Sequence, residues 1–102
     1  MSQTTPQPHP GVILLTQFMA PHGLSACALA MRLSVPAPRV NDIVRQRRGV
    51  SPDTALRLAR FFGTTAHYWM ELQAAHDLGL AVAAAGEQIC RDVRPVGELE
   101  AA

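Results

Sequence analysis

Leu24–Ser51 reads LSACALAMRLSVPAPRVNDIVRQRRGVS. Leu29, Ala30, Leu33, Val35, Val40 and Ile43 are spaced so that two short helices meeting at a steep angle share one core, with Ala30 small enough for close approach. That is the spacing of a helix-turn-helix. Ser25 caps the first of these helices, Leu24 and Leu29 staple its start, and it runs to about Leu33. Pro36 and Pro38 are excluded from a helix interior but suit a helix entry, so Ser34–Pro36 is the turn and the next helix begins near Ala37, with Gly49 as its closing residue. With Val40, Ile43 and Val44 inward, a 100° step per residue centres the opposite side on Pro38, Asp42 and Arg45, flanked by Asn41, Arg39 and Gln46.

Outward from this stretch the pattern stays helical. Pro10 suits a first turn, and Val12, Ile13, Leu14, Leu15, Phe18 and Met19 supply apolar residues at helical intervals until Pro21 and Gly23, which gives a helix over about 10–20. Ser51-Pro52-Asp53 joins a capping serine, a first-position proline and an acid favoured by the helix dipole. The helix it opens reaches Phe62, with Ala55, Leu56, Ala59 and Phe62 as its inner stripe and Gly63 as terminator. Thr65 caps a fifth helix, in which Trp69, Leu72, His76 and Leu80 recur at helical spacing to about Ala84 or Gly86. The expected fold is all-α: a five-helix, lambda-repressor-like helix-turn-helix domain over 10–85, a flexible arm over 1–9 and a polar C-terminal tail over 86–102.

A chain of 102 residues fits one core and no second one. No apolar run reaches the roughly 18 residues of a membrane span, and MSQTTPQPHP lacks the basic start and apolar stretch of a signal peptide, so the expected location is the cytoplasm, with no membrane partner. Net charge is only +1, but it is segregated. Residues 1–60 hold seven arginines against Asp42 and Asp53, a balance of +5, and residues 61–102 hold two arginines against six carboxylates, a balance of −4. All nine cations are arginine, which forks onto phosphate or guanine; a GC-rich genome gives the same usage.

A helix in the major groove meets base pairs that each show a distinct donor and acceptor pattern, and its first residues lie closest to them. Arg39 can fork onto guanine, Asn41 can pair with adenine, Asp42 can accept from cytosine, and Ala37 and Pro38 can touch thymine methyls. Arg45, Arg47 and Arg48, at the far end and beyond it, suit phosphates. Two alternatives stay open: this side is a solvated face, and Asp42 holds Arg39 or Arg45 in place rather than reading a base. The four histidines, His9, His22, His67 and His76, have no i, i+4 pair, and Cys27 and Cys90 lie far apart, so no metal, cofactor or disulfide framework is expected. Ser25 and Ser51 read as caps and Cys27 has no base partner in sequence, so no catalytic site and no small-molecule substrate are expected either.

The stretch from His9 to Leu78 resembles the HigA group of antitoxins within the Xre-type helix-turn-helix regulators. The resemblance rests on His9-Pro10-Gly11 with ILL at 13–15, on LxxxALAxxLxVPxxRVNDIVRxRRGVSPDTALRLARFFGT from Leu24 to Thr64, and on YWMELQAAHDL from Tyr68 to Leu78. It implies a homodimer that binds a palindromic operator in its own promoter and neutralises a HigB-type, RelE-like RNase toxin. On this reading Ser25 joins the phosphate contacts, and Trp69, Leu72, His76 and Leu80 on the fifth helix are the expected dimer interface. Ala26 stands where the group usually has a phosphate-binding glutamine, Ser34 where it has a turn glycine, His76 where it has a tyrosine and Val12 where it has an acid. The alternatives are a stand-alone Xre-type repressor and a protein-interaction module that has lost DNA binding.

Overall fold

The computed structural model describes residues 7–101, and side chains from Gln7 to Glu98. The first helix, α1, spans Pro10–His22. It begins as an α-helix over Pro10–Ile13, widens to π winding over Leu14–Met19 and tightens to a 3-10 turn over Ala20–His22. Pro21 explains the change: it has no N–H to give to the carbonyl four residues back and its ring crowds that carbonyl, so the turns before it rearrange. The chain then turns through 92° into α2, Ala26–Leu33. Next come α3, Ala37–Val44, and α4, Pro52–Phe62. The last two helices are α5, Ala66–Asp92, and α6, Val96–Ala101. The all-helical expectation holds, and no strand occurs among the described residues.

The caps read from the sequence are in place. Ser25 Oγ accepts from the N–H of Ala28, Ser51 Oγ from that of Thr54 and Thr65 Oγ1 from that of Tyr68. Leu14, Met19, Leu29, Leu33, Val40, Ile43, Leu58 and Trp69 fill a core between α1 and the following four helices. Trp69 is at its centre, fully buried, 4.9 Å from the Phe18 ring and donating through Nε1 to Thr64 Oγ1 at 2.8 Å.

Four sequence expectations change. The inner stripe of α4 is Thr54, Ala55 and Leu58, while Leu56 is 63% exposed, because it lies about 100° round the helix from Ala55. Of the arm expected over 1–9, residues 1–6 lie outside the described residues, but His9 is buried and the Gln7 carbonyl accepts from His76 Nδ1 at 2.8 Å. The fifth helix does not end at Ala84 or Gly86 but runs to Asp92, and α6 follows, so residues taken for a loose polar tail are largely helical. One glycine costs a helix about 1 kcal/mol, and the alanine-rich turns around Gly86 and the side-chain bond from Gln88 to Asp92 outweigh it. The next breaker is Pro95. Finally, Trp69 has no surface left for a second copy of the chain. As a result the molecule is long, 60 × 22 × 20 Å, with the distal part of α5 standing clear of the core.

Candidate nucleic-acid interface

α3 is set by prolines at its start and by a left-handed residue at its end. Pro36 is its cap in extended conformation, and Pro38 occupies the first turn, where a missing N–H costs nothing. The helix stops at Val44, not at Gly49. Gln46 takes φ 65°, the N–H of Arg47 reaches the Asp42 carbonyl at 2.8 Å and that of Gln46 reaches the Ile43 carbonyl at 2.9 Å. This is a Schellman closure with glutamine in the position glycine usually fills. α2 closes the same way: Ser34 sits at φ 59° while the N–H of Val35 bonds the Ala30 carbonyl. The helix-turn-helix thus carries left-handed, non-glycine residues on both sides of α3.

Val40 and Ile43 are buried and Val44 is half-buried against the core. On the other side Pro38, Arg45, Arg47 and Arg48 are exposed, and Arg39, Asn41 and Asp42 are half-buried. Ala37, expected among the base-edge residues, instead packs against the core, because it lies three residues before Val40 and seven before Val44 on the inward face of the helix. Among the described residues no ion pair engages any of these four arginines or Asp42; the one ion pair joins Arg57 to Asp53 at 2.8 Å. Asp42 therefore does not hold Arg39 or Arg45 in this structure. Ser25, at the head of α2, spends an oxygen lone pair on its own helix and keeps a hydroxyl proton to donate.

Three positioning contacts were not singled out as functional in the sequence. Arg57, besides pairing with Asp53, donates to the carbonyls of Leu33 (2.9 Å) and Ser34 (3.3 Å), tying α4 to the turn that aims α3. Gln73 accepts from the N–H of Val50 at 2.7 Å and donates to Asp77, so the loop after α3 is docked on α5. Gly11 lies so close to α3 that a Cβ there would stand 1.9 Å from the Ile43 carbonyl oxygen. These are contacts between distant residues, and no local pattern announces them.

His9 Nδ1 accepts from the N–H of Gly11 at 2.9 Å, which requires a neutral ring. Burial first, and then the nearby His76, lower its pKa, while Asp77 opposes the shift. The His9 and His76 rings meet edge to face at 5.0 Å. Of the residues expected at a dimer interface, Leu72 is half-buried against the core, His76 is half-buried and bonded to Gln7, and Leu80 is half exposed. The opposite face of α5 is bare. Leu78, Val82 and Ile89 on this face are 65%, 48% and 53% exposed, Val93 at the C-cap is 62% exposed, and with Ala85 they follow a 4-3-4-4 spacing. No helix is long and apolar enough to cross a membrane among the described residues.

A helix-turn-helix family model matches residues 15–69. Virulence-associated protein I of Dichelobacter nodosus is 51% identical over 76 residues, which cover 74% of this chain and 70% of that protein. Among solved structures, the Pseudomonas aeruginosa antitoxin HigA with the higBA promoter superposes with a TM-score of 0.85 at 48% identity, over 87% of this chain and 97% of the other. An addiction module antidote protein of the HigA family from Coxiella burnetii superposes with a TM-score of 0.85 at 41% identity, over 89% of this chain and 99% of that one. Matched by a family model over more than half its length and by a solved HigA-family member over nearly all of that member, this chain belongs to the HigA family of Xre-type helix-turn-helix proteins.

Proposed function

We propose that this chain is a DNA-binding antitoxin: a cytoplasmic homodimer that lays α3 in the major groove of a palindromic operator, represses its own operon and neutralises a HigB-type, RelE-like RNase. The observation that carries the reading is the cationic surface on and just after α3: Arg39 on the helix and Arg45, Arg47 and Arg48 beyond its end have no ion-pair partner among the described residues, on a fold matched by a promoter-bound HigA. In this reading Pro38, Arg39, Asn41 and Asp42 face base edges, since they occupy the first turns of the inserted helix on its outer side. Ser25, Arg45, Arg47 and Arg48 take phosphates, and the unpaired Asp42 accepts from a cytosine amino group rather than orienting an arginine.

The bare stripe Leu78–Val82–Ala85–Ile89–Val93 supports dimerisation through α5, on the face opposite Trp69. The 4-3-4-4 spacing suits a helix partner of like kind. If two such helices cross antiparallel near Ala85–Gly86, Leu72 of each lies about 20 Å from the crossing at 1.5 Å per residue. The two helix-turn-helix units then stand about 40 Å apart, comparable to the roughly 34 Å between half-sites one helical turn apart. Electrophoretic mobility shift with the DNA upstream of the coding sequence tests the reading. It expects a complex that survives excess random duplex; equal competition by random duplex would refute operator recognition. Co-purification with a HigB-type toxin, with loss of RNase activity in the complex, tests the antitoxin role.

A further inference from the structure

The end of α2 and the outer side of α4 enclose an open groove of about 550 Å³. Arg32, Arg57 and Arg60 line it against one carboxylate, Asp53. Arg57 is committed to Asp53 and to the turn carbonyls, whereas Arg32 and Arg60 have no carboxylate partner among the described residues. Leu56 and Phe61 stand in the same groove, 63% and 40% exposed. The surface thus offers two free guanidinium groups beside apolar side chains, which suits an acidic segment with aliphatic residues.

Such a segment exists in the chain itself. Residues 93–102, VRPVGELEAA, carry Glu98 and Glu100 against Arg94. Val93, Val96 and Glu98 are all exposed. α5 rises about 40 Å from end to end and carries this segment away from its own α4. The antiparallel crossing described above sets Val93 of one chain level with Leu78 of its partner and directs the rest toward the partner's α4–α5 junction, next to Arg60 and Phe61. We infer that the groove receives the acidic C-terminal segment of a second copy, an assignment that rests on the proposed dimer and adds a second, charge-matched contact to its apolar seam.

Sedimentation equilibrium of full-length chains tests this with a charge swap, circular dichroism serving to verify folding. Arg32 and Arg60 lie on the surface, so R32E/R60E leaves the core intact. The expected result is a dimer dissociation constant raised at least tenfold in R32E/R60E and returned to within about threefold of the original when E98R/E100R is added to the same chain. Unchanged dimerisation in R32E/R60E, or no recovery in the fourfold variant, would overturn the assignment while leaving the α5 seam standing. A wild-type chain that stays monomeric at every concentration would remove the dimer itself, and this contact with it.

Discussion

At Gly11, α1 touches the backbone of α3, and a methyl group there has nowhere to go because the obstacle is the Ile43 carbonyl rather than a side chain that can swing away. Gly11→Ala is expected to cost about 1–3 kcal/mol, the range for overpacking, read as a lower urea midpoint with an unchanged slope. Ser34 gives the opposite sign. An L-residue in the left-handed region loses about 1–2 kcal/mol, whereas glycine returns part of that gain through its freer unfolded chain, so Ser34→Gly should raise stability by about 0.5 kcal/mol. His9 makes stability depend on pH. Its folded pKa lies below the ordinary value near 6.5, so the folded state binds the proton more weakly than the unfolded one. The stabilisation is full above about pH 6.5 and is lost as pH falls toward the lowered folded value. His9→Asn keeps a side chain that caps a helix and removes the titration. The wild-type advantage over this variant in thermal denaturation should therefore shrink on acidification below pH 6.5, and a constant difference would contradict the account.

Among the elements, α3 depends on its supports as much as on its own residues. Arg57→Ala removes the bonds to Leu33 and Ser34; for a half-exposed charged donor the expected loss is about 1 kcal/mol, with operator affinity falling alongside stability. Arg47→Ala or Arg48→Ala should instead weaken binding to every duplex and reduce the salt slope of binding by about one, with stability untouched. Helix starts were legible in the sequence because a cap is local chemistry: Ser25, Ser51 and Thr65 sit where they were read. Helix ends were less so. α3 closes on Gln46 rather than Gly49, since hydrogen bonds to Asp42 and Ile43 offset a conformation that composition assigns to glycine. Arg57, Gln73 and Gly11 were not legible as supports, because each acts on a segment more than twenty residues away in sequence. On α5, periodicity located one stripe correctly as apolar, but Trp69 belongs to the protomer's own core, and the uncovered stripe lies on the other face.

The whole molecule is a compact helical head on a rod, and in the proposed dimer, joined along the rod, the two heads stand at operator spacing. Leu78→Asp or Ile89→Asp puts charge into the bare stripe while leaving the core alone. Sedimentation should show monomers that retain their thermal transition, with operator affinity down by a factor of ten or more. The central claim is that the outer side of α3 reads base edges, and hydroxyl-radical footprinting on the DNA upstream of the coding sequence tests it most directly. The account predicts two protected patches one helical turn apart, abolished by R39A/N41A under conditions where the folded dimer persists. Protection that covers any duplex evenly, or that survives this double substitution unchanged, would contradict it.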